Sequence, residues 1–112
     1  DVAGDVEEAL SDLEDATEWM LESVGRDQRF PFAASFDYLM LFGTVVGGWQ
    51  MARAAGAAAQ RLVGERGDTR FNREKLATAR CYVRQVLPRV RGFSTQIQRG
   101  AEAVVEAGDV VF

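Results

Sequence analysis

Between Phe36 and Trp49 the chain reads Phe-Asp-Tyr-Leu-Met-Leu-Phe-Gly-Thr-Val-Val-Gly-Gly-Trp. Wound as a helix, this segment is apolar on every side, and a helix without a polar face has to be buried all round. The rest of the chain must therefore be arranged about it. Leu39, Phe42, Val46 and Trp49 make one ridge, and Phe36, Met40, Gly43 and Gly47 make another, with Ala54 and Ala58 extending the small-residue row. Gly43, Gly47 and Gly48 each cost roughly 1 kcal/mol relative to Ala in a helix interior. Something must gain by approaching that bare backbone, either a neighbouring helix or a ligand. From Tyr38 to Trp49 there are 12 residues, whereas a membrane span needs about 20. Asp37 and Arg53 close the segment at its ends, so no membrane span is expected. The apolar faces must be covered by the rest of the chain or by a partner.

The flanking sequence supplies the cover. Val2, Val6, Leu10, Leu13, Thr17, Met20 and Val24 recur at helical spacing, with Glu8, Asp12, Asp15, Glu18 and Glu22 opposite, which predicts an amphipathic helix over 2–24. Trp19 falls among the acids, either lying along the helix edge or anchoring a surface outside this chain. Gly25 and Asp27 end that helix, Pro31 suits the start of the next, and the central helix is expected from Phe32 to Val63. Residues 64–69 are a turn by composition. A third stripe, Leu76, Ala79, Val83, Val86, Val90, Phe93 and Ile97, runs through Pro88 in phase. Proline removes a helix hydrogen bond, so the third helix is expected to kink or break near Leu87. Gly100 is expected to interrupt next, followed by a short helix over Ala101–Ala107 and, over Gly108–Phe112, either a frayed end or a stub that docks elsewhere. Asp37 is expected near a helix start. The resulting fold class is all-α: an antiparallel, up-and-down helical bundle of three long helices plus a short fourth.

At 112 residues this is one domain by length. It opens on Asp rather than Met, and a fragment of a longer protein or a processed product is expected. The single Cys excludes an internal disulfide framework and points to a cytoplasmic setting. The absence of His removes the commonest general base and zinc ligand. Residues 1–27 carry ten acids and one Arg, for −9, and residues 28–112 carry seven acids and twelve Arg or Lys, for +5. An acidic total argues against nucleic acid as the main partner.

Arg73, Arg80, Arg84 and Arg91 fall in a narrow arc of the third helix at spacings of seven, four and seven. Such a stripe can pair with the acidic first helix, stay solvated, hold a phosphate-bearing coenzyme, or dock on an acidic surface. The carboxylates of the first helix read as a solvated face, because catalytic carboxyls need burial or a close partner. Cys81 lies beside the Arg stripe and has no base to activate it. No catalytic, cofactor-binding or metal-binding residue is assigned. The candidate docking residues are Trp19, Arg73, Arg80, Arg84 and Arg91.

Four segments together carry a resemblance: Ala16-Thr17-Glu18-Trp19-Met20-Leu21, Tyr38 to Trp49, Lys75-Leu76-Ala77-Thr78-Ala79-Arg80-Cys81-Tyr82, and Val86-Leu87-Pro88. In order and distance they resemble the C-terminal extension domain of acyl-CoA dehydrogenases of the 3-methylmercaptopropionyl-CoA dehydrogenase-like subgroup, over nearly the whole chain. Cys81 departs from the pattern, where an aromatic residue is expected. The resemblance implies a non-catalytic helical domain appended to a flavoenzyme, supporting its core or subunit interface. It implies FAD, the acyl-CoA substrate and the catalytic carboxylate in upstream domains of the same chain, none of them in this segment, and a homo-oligomeric parent. The alternative is a free-standing helical protein–protein interaction module.

Overall fold

The computed structural model describes residues 1–111, Val111 by its backbone alone. Helix α1 (Val2–Arg26) opens on Asp1, whose carboxylate accepts from the Gly4 N–H at 3.3 Å. Its buried row is Val6, Ala9, Leu13, Ala16 and Ser23. Leu10 and Val24, expected in the core, lie exposed at its edge. The small Ala9 and Ala16 side chains hold core positions in that row, both of them buried. Thr17 keeps its place on the stripe because its hydroxyl is satisfied: it donates to the Leu13 carbonyl at 2.8 Å and lies 2.7 Å from the Tyr38 hydroxyl.

Helix α2 (Arg29–Val63) begins three residues before the expected Phe32. The Asp27 carboxylate accepts from the Arg29 N–H at 2.9 Å, and Pro31 sits in the first turn, where a missing N–H costs nothing. Asp37 is therefore two turns into the helix rather than at its start, and it is half-buried. At about 1.5 Å per residue α2 is roughly 50 Å long. The molecule measures 64 × 21 × 16 Å with a radius of gyration of 18.2 Å, against about 13 Å for a compact domain of about 100 residues. A helix with its side chains is about 10–12 Å across, so a body this thin cannot surround its longest helix.

After a turn in which Glu65 and Gly67 take positive φ, Asp68 caps helix α3 (Thr69–Gln85), accepting from the N–H groups of Arg70 and Phe71. The helix breaks where the sequence places the break. The Val86 and Leu87 N–H groups both turn back to the Tyr82 carbonyl, at 2.8 and 3.0 Å, and Pro88 leads into α4 (Arg89–Thr95). The separate short fourth helix does not form. Instead α4, a π-helical turn (Gln96–Gly100) and α5 (Ala101–Val111) follow one another without a gap. The wider π turn accommodates Gly100 within the helix, and α5 continues through Gly108, where fraying was expected. Phe112 lies outside the described residues. Among those described there is no strand, and the chain is all-helical.

The core joins Val6, Ala9, Leu13 and Ala16 to Ala34, Leu41 and Val45 of α2, and these to Val83, Leu87, Val90, Ile97 and Ala101. Leu41 and Ile97 are the largest side chains fully enclosed in it. Gly47 and Gly48 face this side of α2. The Tyr82 phenol fills the space a Gly47 side chain would take, and a Cβ on Gly48 would come within 2.9 Å of Leu87 Cδ1. Close approach is thus confirmed, although side chains rather than another helix backbone exploit it. Tyr82 completes the contact by donating its hydroxyl to the Thr44 carbonyl at 2.7 Å.

Candidate functional site

Two surfaces stand out, one charged and one apolar. The charged one is a groove of about 500 Å³ between α1 and the α3–α4 break. Asp5, Glu8 and Asp12 line one wall, and Arg84 and Arg91 the other. Arg91 reaches across to Glu8 at 2.8 Å, with both side chains exposed. Such a pair is worth about 0–1 kcal/mol and is screened by salt. Arg80 and Arg84 border a neighbouring depression with Asp1 and Asp5, while Arg73 lines neither groove. Among the described residues Arg73, Arg80 and Arg84 are exposed and make no ion pair. The groove does not fit a flavin or a coenzyme pyrophosphate, since three carboxylates line it and would repel the phosphates.

Trp19 is half-buried and meets Phe30 edge-on, with ring centroids 6.2 Å apart at 82°. The Arg26 guanidinium covers the same Phe30 ring at 5.3 Å. Nearby, Arg29 clips the α1–α2 connection to the end of α5. It binds Asp27 at 2.7 Å and Asp109 at 2.8 Å. Hydrogen bonds from Arg29 hold the Asp27 carboxyl below its usual pKa, and the two carboxylates raise that of Arg29. Burial raises the Tyr82 phenol above its ordinary value. Cys81 is exposed. No group of three or more His, Cys, Asp or Glu among the described residues is arranged to hold a metal.

The apolar surface is the one that sequence reasoning misplaced. All-round burial was expected for Phe36–Trp49, yet only one side of α2 is covered. Phe32, Phe36 and Leu39 are 76%, 67% and 68% exposed, Phe42 and Trp49 47% and 51%, and Met40 and Val46 also face solvent. A Cβ added at Gly43, in the middle of this face, would meet nothing within 4 Å. The Arg53 guanidinium sits 5.0 Å over the Trp49 ring at one end. The signal was present in the sequence: Phe32, Phe36, Leu39, Gly43 and Val46 follow spacings of four, three, four and three, a stripe on one side of the helix separate from the row formed by Ala34, Leu41, Val45 and Gly48.

The sequence is 38% identical over 68 residues to 3-methylmercaptopropionyl-CoA dehydrogenase of Ruegeria pomeroyi (strain ATCC 700808 / DSM 15171 / DSS-3). That alignment takes in 61% of this chain and 11% of the relative, so the chain spans only a small part of that relative's length. The sequence model of the family described as acetyl-CoA dehydrogenase C-terminal like matches residues 1–108. With almost every residue inside that match, the chain belongs to the acetyl-CoA dehydrogenase C-terminal-like family.

Proposed function

We propose that this chain is the C-terminal helical domain of an FAD-dependent acyl-CoA dehydrogenase, non-catalytic in itself, which supports the dehydrogenase core or its subunit interface. The observation that carries the reading is the family match over residues 1–108. Flavin, substrate and the α-proton-abstracting carboxylate belong to upstream domains of the same polypeptide, in a cytoplasmic homo-oligomer. In this reading the helices run up and down as an antiparallel bundle. Three ties at different levels support that layout: Glu8 to Arg91, Thr17 to Tyr38, and Arg29 to Asp109. The exposed guanidinium groups of Arg73, Arg80 and Arg84, with Arg91 shared with Glu8, orient the domain against an acidic surface of the upstream part. Trp19, half-covered by Phe30 near the α1–α2 connection, adds a separate apolar contact.

The test is to purify the full-length protein and read its flavin absorbance with residues 1–112 present and deleted. The expected result is a bound flavin in both forms, acyl-CoA dehydrogenation by the intact protein, and weaker stability or subunit association on deletion. A full-length protein without flavin would overturn the reading in favour of a free-standing helical interaction module.

A further inference from the structure

We propose that the exposed face of α2 is the seam of a symmetric pair, in which a second copy of this chain lays its own α2 across Gly43. The inference deepens the homo-oligomer reading above and rests on it for its setting, although every residue it uses lies in this chain. Phe32, Phe36, Leu39, Gly43 and Val46 alternate spacings of four and three, the repeat by which one helix packs its side chains between those of another. These residues serve no contact of that kind inside the domain, whose core uses the other side of α2.

Area, charge and the glycine itself select the occupant. With about 150–250 Å² for each aromatic side chain and somewhat less for the others, the exposed fractions of Phe32, Phe36, Leu39, Met40, Phe42, Val46 and Trp49 amount to roughly 700 Å². That exceeds the apolar patches a monomer ordinarily shows and approaches the ~800 Å² per partner of a standard interface. None of these residues is charged, and the stripe is uncharged through Gln50. Two copies, each with a net charge of −4, can meet here without bringing their acidic α1 faces together. A two-fold axis at Gly43 is self-complementary. Phe36 then packs beside the partner's Trp49, and Leu39 beside the partner's Val46. The two Gly43 backbones cross where a side chain would hold them apart.

This assigns a purpose to Gly43, where among the described residues a Cβ would meet nothing within 4 Å and which weakens the helix it sits in. Helix α2 has the length and composition to cross a membrane, with a mean hydropathy of 1.3 over its most apolar window. One of its sides, however, is already occupied by the rest of the fold, and lipid tails would gain nothing from a bare backbone at Gly43.

The experiment is sedimentation equilibrium of the 112-residue chain from about 1 to 200 µM, a range spanning typical affinities for an interface of this size. A reversible dimer is expected. Leu39→Glu and Gly43→Leu should each weaken it by about thirtyfold or more, as loss of a central contact does, with far-UV helicity retained because neither position touches the core. As a second readout, Leu39→Cys with Val46→Cys in a Cys81→Ser background should form an intermolecular disulfide on mild oxidation. A strict monomer over the whole range would overturn the proposal and make the upstream part of the same polypeptide the occupant of this face. A dimer indifferent to Leu39→Glu and Gly43→Leu, or co-flotation of the chain with phosphatidylcholine vesicles, would also overturn it. A full-length protein that dimerises through this face but holds no flavin would refute the dehydrogenase assignment and leave the seam intact.

Discussion

Gly47→Ala probes the contact on which α2 and α3 are registered. The new methyl group would be driven into the Tyr82 hydroxyl and come within 2.9 Å of Tyr82 Cζ. Helix propensity by itself favours the change by about 1 kcal/mol. Against this, Tyr82 must move and give up its 2.7 Å bond to the Thr44 carbonyl, a loss of about 1 kcal/mol, while overpacking costs about 1–3 kcal/mol. The balance is a destabilisation of about 1–3 kcal/mol, or a melting temperature lower by roughly 5–15 °C for a domain near this size. Thermal unfolding followed by circular dichroism at fixed protein concentration reads it directly. Gly56→Ala is the control. A Cβ there meets nothing within 4 Å, so the propensity gain of about 1 kcal/mol should survive and melting should rise. In a Tyr82→Phe background the penalty of Gly47→Ala should shrink by about 1 kcal/mol, because the bond it breaks is already absent. If Gly47→Ala melts at or above wild type, the Tyr82 contact does not set the helix spacing and this reasoning is wrong.

Burial raises the folded-state pKa of Tyr82 above the ordinary phenol value, so the native state holds that proton more tightly than the unfolded chain. Stability from this group should be intact below about pH 10, the unfolded value, and should fall as pH rises through the native pKa. Denaturant midpoints between pH 8 and 11 should show the decline, reduced in Tyr82→Phe. Arg80→Glu with Arg84→Glu should leave the melting temperature of this chain within a few degrees, since neither residue makes an ion pair among the described residues and exposed charges contribute about 0–1 kcal/mol. The same pair of changes should weaken the full-length protein's stability or association, and outright unfolding of the short chain would make the stripe an internal clamp. Titration calorimetry of the 112-residue chain with FAD or an acyl-CoA should give no binding in the micromolar range, because three carboxylates line the groove between α1 and the α3–α4 break. A clear micromolar isotherm would move the Arg stripe from docking to ligand contact.

Local chemistry was legible in the sequence because it acts over one or two turns. The all-helical class, the turn after α2 and the break at Pro88 all follow from turn residues, prolines and apolar spacing that neighbouring residues impose on each other, whereas the Asp68 cap of α3 was seen only in the structure. Gly100 misled because a glycine lowers helix propensity without forcing a stop, and the surrounding helix took it up in a π turn. The resemblance rested on ordered residues along one chain and did not need the fold.

Which side of α2 is covered was a different kind of question. Apolar residues all round the wheel state that every side needs cover, but they do not say who supplies it. The answer depended on how the flanking helices lie along a rod 64 Å long and 16–21 Å across. It depended also on the fact that Ala9, Ala16 and the Tyr82 ring occupy one flank, while Phe32, Phe36 and Leu39 on the other stay mostly exposed. Gly47 and Gly43 are four residues apart and identical in sequence terms, yet one accommodates a tyrosine and the other faces open space. The cost of a glycine is a property of its own backbone, whereas the compensating contact is made by residues far away in the chain, so only the tertiary arrangement could distinguish the two.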